Sequence, residues 1–262
     1  MPRLGDALAL ARSQTRATLV PYVMVDRART HRLRPVVEAA LESGASALEL
    51  GFPFSDPIAD GPILQATADR ALANGTDWSD LVESLEIASE LLPTAVMGYA
   101  NPFWRHGLDH SLASIARAGA SGLVVPDLPL EETPPWIAAA GRHSIDLVLL
   151  AAPGVTKTRT VHLARATHGF LYLVARYGTT GTTRSAERID LTPIVRTAHR
   201  AAPAMPVLIG FGIKDRATAA QALAYGADGV IVASALEERF ARSFGAATVR
   251  RVLGPIARTV RA

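Results

Sequence analysis

Eight short apolar runs, most of them rich in β-branched residues, alternate along this chain with longer segments of helical spacing. That alternation restricts the fold more than any other feature. The runs cover 18–24, 47–52, 94–100, 122–126, 146–151, 170–175, 206–211 and 228–232. Between them, segments such as 33–41, 78–92, 112–118, 160–166, 193–201 and 216–225 place apolar residues at three- and four-residue steps. Strand then helix, repeated eight times, predicts a parallel sheet, because parallel neighbours need a crossover connection. Closed on itself, such a sheet is a (β/α)8 TIM barrel; left open, it is doubly wound. No G-x-G-x-x-G follows the first run, which turns the reading from a dinucleotide-binding open sheet toward the barrel. Residues 2–13 read as an extra N-terminal helix. With no linker or low-complexity stretch, the 262 residues are read as a single α/β barrel domain, 1–262.

Composition removes several classes of chemistry. There is no cysteine, so disulfides, thiolate–metal sites, iron–sulfur clusters and cysteine nucleophiles are all excluded. The formal net charge is only +3, and no basic run or aromatic–basic interleaving points to nucleic acid. Lysine occurs only at Lys157 and Lys214, so any Schiff-base chemistry on this chain would have to use one of them. The N-terminus lacks the plan of a signal peptide, and no stretch of 18 residues is long and apolar enough for a membrane span. The chain reads as a soluble cytoplasmic protein.

In such a barrel the chemistry sits at the C-terminal ends of the strands and in the loops after them. Within Ala47-Leu48-Glu49-Leu50-Gly51, alternation puts the leucines on one face and Glu49 on the other. If the leucines pack against the helices, Glu49 points into the barrel mouth. A carboxylate there is either functional, with its pKa raised by desolvation, or structural, tied to an arginine or to backbone donors. The loop that follows, 53–62, carries Asp56 and Asp60 among three prolines, and one of these acids is expected to do no more than form an Asx-turn. A second cluster is glycine-based: Gly178-Thr179-Thr180-Gly181 after the sixth run, Gly210-Phe211-Gly212 after the seventh and Ala233-Ser234 after the eighth. Small residues on consecutive late strands suit a phosphate cradle, and tight turns would account for them as well.

The segment Leu48 to Pro62, LELGFPFSDPIADGP, closely resembles the signature of the tryptophan synthase α subunit family. Tyr99-Ala100-Asn101-Pro102, Pro126-Asp127-Leu128-Pro129 and the glycine motifs fall where that family has similar ones, along nearly the whole chain. The resemblance implies a barrel lyase that cleaves indole-3-glycerol phosphate to indole and glyceraldehyde 3-phosphate, a step of tryptophan biosynthesis that needs neither metal nor organic cofactor. It implies Glu49 as general acid/base, Asp60 as partner of the indole N–H, and Tyr172 packed near the catalytic carboxylate. Gly181, Phe211, Gly212, Ala233 and Ser234 would hold the substrate phosphate. Tyr22, Met97, Tyr99, Val124 and Ala151 would line the indole slot. The implied partner is a pyridoxal-dependent β subunit in an α2β2 assembly. A stand-alone lyase releasing free indole and a non-catalytic allosteric barrel are the alternatives. The chain departs from the family in three places, one of them the less typical run Thr182-Thr183-Arg184-Ser185 beyond the glycine loop. Met24-Val25-Asp26-Arg27-Ala28 replaces a Thr-x-Gly-Asp-Pro-like turn, and Ala233 stands where glycine is usual, which would cost on the order of 1 kcal/mol if that position needs positive φ.

Overall fold

The computed structural model describes residues 3–14, 17–175 and 189–261. Eight strands, β1 (Thr18–Met24), β2 (Leu48–Gly51), β3 (Thr94–Met97), β4 (Ala120–Val124), β5 (Asp146–Ala151), β6 (Leu171–Val174), β7 (Val207–Gly210) and β8 (Gly229–Val232), close into a barrel in sequence order. Every pair is parallel, and β8 returns to β1. The first half of the chain supplies the helices α1 (Leu4–Gln14), α2 (Leu33–Glu42), α3 (Pro62–Ala73), α4 (Trp78–Ser89), α5 (Ala100–Arg105) and α6 (Leu108–Arg117). The second half supplies α7 (Thr133–Arg142), α8 (Lys157–Ala166), α9 (Thr192–Ala201), α10 (Arg216–Ala224), α11 (Ser234–Phe240) and α12 (Ala246–Arg261). The open-sheet alternative is thereby removed.

Strand alternation divides the apolar residues into two layers. Leu48, Leu50, Val96, Leu123, Leu147, Leu149 and their equivalents pack outward against the helices, in one large cluster with Val36, Leu85 and Trp136. Val20, Tyr22, Ala95, Val124, Val148, Tyr172, Leu208 and Ile231 fill the barrel interior. The expected extra N-terminal helix is present as α1, and it plugs the N-terminal end of the barrel. Leu4 and Leu8 belong to the interior cluster, the Gly5 N–H donates to Asp146 at 2.9 Å, and Arg12 pairs with Asp228 at 2.6 Å. With that end filled, solvent and ligand reach the interior from the C-terminal end. No helix among the described residues is long and apolar enough to cross a membrane.

Candidate active site

Glu49 lies in the middle of β2, opposite Tyr22 on β1 and Ala95 on β3, both of which point into the barrel. Its residue is 1% exposed, and neither carboxyl oxygen has a hydrogen-bond partner among the described residues. Among the described residues no arginine pairs with it. Burial pushes its pKa up to about 8, and the nearby Asp60 adds to the rise. Charge repulsion and desolvation act together here, because a carboxylate in a dry interior loses its hydration and gains no counter-ion. Tyr22 and Tyr172 flank it. Both phenols are fully buried, and each is held well above its usual pKa by desolvation and by Glu49 and Asp60.

Asp60 comes from the proline-restricted loop between β2 and α3. It is 4% exposed, and its Oδ1 has no partner. Tyr99 positions it. The phenol accepts the Ala59 N–H at 3.0 Å, lies close enough to the Asp60 carboxyl to lower its pKa, and stacks on Phe54 at a centroid distance of 5.3 Å. Burial raises the Asp60 pKa to about 6, with the Tyr99 hydroxyl pulling the other way. Of the two loop acids, Asp56 is exposed and takes a bond from the Ser55 hydroxyl at 2.6 Å, a local turn contact.

A cavity of about 300 Å³ opens beside this pair, at the lower edge of the range for small-molecule sites. Tyr22, Met97 and Tyr172 line it together with Phe211, Gly212, Ala233 and Ser234, and the Tyr172 and Phe211 rings meet edge to face at 5.8 Å. Phe211 has φ 62° and Gly212 φ 113°, consecutive left-handed residues that turn the backbone after β7. For a bulky residue such a φ is strained, and strain of this kind collects at ligand-binding backbone. Ala233 has φ −111°, so the alanine there carries no positive-φ penalty.

The departing turn after β1 is tied down within this chain. Asp26 is 3% exposed and accepts from the Ala28 N–H and from Asn74 Nδ2 at 2.9 Å. The Arg27 N–H donates to Thr76, and its guanidinium reaches Asp77 and Asp80. Arg29 lies 3.4 Å from Asp26 and 3.8 Å from Glu237 on α11.

Most of the expected residues converge, though not all. Glu49, Asp60 and Tyr99 are not on the cavity wall; Glu49 is paired across the sheet with Tyr22, Asp60 precedes Gly61, and both Tyr22 and Gly61 line it. Val124 is in the interior cluster, deeper than the cavity. Ala151 is a correction: it packs outward with the helical layer, and Leu150 is the inward residue of β5. Asp146, bonded to α1 at the base, sets the inward parity as 146, 148 and 150, so Ala151 cannot line an indole slot. Gly181 and the run 182–185 fall outside the described residues. The sequence reading overlooked Pro62, Ile63 and Leu64 of α3, and Lys214, which also line the cavity. Gly61-Pro62 was a usable signal for α3, since proline is favoured in a first helical turn. Among the described residues no three His, Asp or Glu side chains converge as a metal site.

Comparison with known proteins agrees with this geometry. A family profile described as tryptophan synthase alpha chain matches residues 8–251. The tryptophan synthase alpha chain of Chloroflexus aurantiacus is 38% identical over 98% of this chain and 100% of its own length. That of Arabidopsis thaliana is 38% identical over 89% of this chain and 85% of its own. A chain of Mycobacterium tuberculosis tryptophan synthase, solved in space group F222, superposes with a TM-score of 0.87 at 33% identity, covering 99% of this chain and 98% of that one. This chain belongs to the tryptophan synthase alpha chain family, the barrel lyases that cleave indole-3-glycerol phosphate.

Proposed function

We propose that in this cleavage Glu49 carries the proton and Asp60 balances the charge it creates. Neutral at pH 7 with a pKa near 8, Glu49 gives its proton to indole C3. The ring becomes cationic at N1, and the ionised Asp60, its Oδ1 free, takes the N1–H as a hydrogen bond. The Glu49 carboxylate then removes the proton from the hydroxyl on the carbon attached to C3. That oxygen's electron pair forms the aldehyde, the carbon–carbon bond breaks toward the ring, and N1 is neutral again. Indole and glyceraldehyde 3-phosphate leave, and Glu49 is protonated as at the start. Tyr172, Tyr22 and Met97 keep water from the carboxyl, and Tyr99 holds Asp60.

Phe211, Gly212, Ala233 and Ser234 hold the phosphate through backbone donors and the serine hydroxyl, and the family resemblance adds Gly181 to this set. Binding there is remote from the broken bond and serves to position it. The observation that carries the reading is the buried Glu49 carboxyl, unpartnered on both oxygens, with a second carboxylate nearby and a cavity lined by its neighbours Tyr22 and Tyr172.

The proposal extends to a pyridoxal-dependent β subunit as partner in an α2β2 assembly, and to the cytoplasm as the place of action. Its test is steady-state cleavage of indole-3-glycerol phosphate by the purified chain with and without added β subunit. Slow indole release alone and strong stimulation by the partner are expected. Full activity alone would make the chain a stand-alone lyase, and no indole under either condition would refute the reading.

A further inference from the structure

Lys214 is the one cationic side chain among the described residues that line the cavity, and it stands at the phosphate end beside Phe211, Gly212, Ala233 and Ser234. Its main chain is fixed. The Lys214 N–H donates to Thr218 Oγ1 at 3.0 Å, and Asp215 caps α10 through the Thr218 N–H at 2.9 Å. The Asp215 carboxylate is thus engaged by the helix it caps, and no carboxylate lies within salt-bridge distance of the Lys214 ammonium among the described residues.

The charges around the cavity favour a cation where the phosphate binds. Asp60 and the buried Glu237 are both close enough to Tyr22, on the cavity wall, to raise its pKa, while Glu49 keeps its proton at pH 7. The cations that offset Glu237 are Arg29 and Arg70, and neither lines the cavity. A phosphate monoester brings up to two more negative charges into this site. Backbone N–H groups supply only partial charges, whereas an ammonium on a flexible stem supplies a whole one and can follow the phosphate as it settles.

We propose that Lys214 is a substrate-binding residue that recognises the dianionic phosphate and sets the preference of this site for a phosphorylated over a neutral glycerol side chain. This rests on the reading of the cavity given above. No covalent step is involved: the ammonium stays protonated and pairs with the phosphate oxygens.

The test compares wild type, K214Q and K214R on indole-3-glycerol phosphate and on the same compound without its phosphate. K214Q is expected to raise KM for the phosphorylated substrate on the order of tenfold, with kcat falling less than about threefold. K214R should recover most of the affinity. The KM of wild type should climb with ionic strength more steeply than that of K214Q. On the unphosphorylated compound the two should have the same kcat/KM within about twofold. An unchanged KM in K214Q, or an equal loss on both substrates, would overturn the assignment. Calorimetric titration with inorganic phosphate reads the same contact without turnover: K214Q should bind it several-fold more weakly than wild type, and equal binding would also overturn it. If wild type makes no indole, the lyase reading fails separately, and the phosphate titration still decides the role of Lys214.

Discussion

The Tyr22 hydroxyl fills the space that a side chain on Gly51 would need: a Cβ built there would lie 1.8 Å from it. The same relation recurs across the barrel, where a Cβ on Gly210 would lie 2.4 Å from the Tyr172 hydroxyl. Two glycines at strand ends thus seat the two phenols that wall off Glu49. Both rings are buried, so neither can swing away without entering the cavity or the core.

G51A therefore displaces Tyr22 toward the substrate space. Its kcat/KM should fall at least about tenfold, and overpacking should cost roughly 1–3 kcal/mol of stability. G141A is the control, since a Cβ at Gly141 meets nothing within 4 Å. Within α7 that change should leave activity alone and raise the melting temperature slightly. Kinetics and thermal melts of both variants check this, and equal behaviour would contradict it.

The pH dependence of kcat/KM should be bell-shaped. Asp60 must be ionised, so activity falls below about pH 6; Glu49 must carry its proton, so activity falls above about pH 8. In D60N the residual activity should lose the acid limb. An acid limb that survives in D60N would belong to another group.

Stability should depend on pH in the direction set by raised carboxyl pKa values. Glu49 rises from 4.5 to about 8 and Glu237 to about 7. Between those limits the folded chain holds protons that the unfolded chain has released, so stability declines as pH climbs from about 4 to about 8. E49Q removes one such group. It should melt near wild type at pH 5 and several degrees higher at pH 9, at roughly 2–4 °C per kcal/mol. A difference that does not vary with pH would contradict the assignment.

Glu237 joins the end of β1 to α11. Its Oε1 accepts the Met24 N–H at 2.8 Å, and Arg29 lies 3.8 Å from Oε2. E237A leaves the buried Met24 N–H unpaired and removes one of the two acids beside Arg29, Asp26 remaining, a loss of about 1–3 kcal/mol. E237Q keeps an acceptor for Met24 and should lose clearly less. Urea denaturation of both variants distinguishes them, and equal midpoints would contradict this role.

How far the sequence could be read depended on how strong each local signal was. Runs 18–24 and 146–151 match β1 and β5 to the residue. Run 94–100 was read three residues too long: β3 stops at Met97, and Ala100 already begins α5. Helix α3 gives a weak period because its buried stripe, Leu64, Thr67, Ala68 and Ala71, has one large apolar residue, two alanines and a threonine. Alternation was enough to turn Glu49 inward. The same rule applied to β5 would have excluded Ala151, whose place came from resemblance alone. Lys214 was seen only as a scarce residue type, since nothing in a local pattern tells a cavity-facing lysine from a solvated one.

The most direct test of the central claim is the rate of indole formation by E49Q, with circular dichroism to establish that the barrel is intact. The account predicts a fall in kcat of about 10²–10⁴-fold with KM nearly unchanged. Indole formation at the wild-type rate by a folded E49Q would show that the proton does not travel through Glu49.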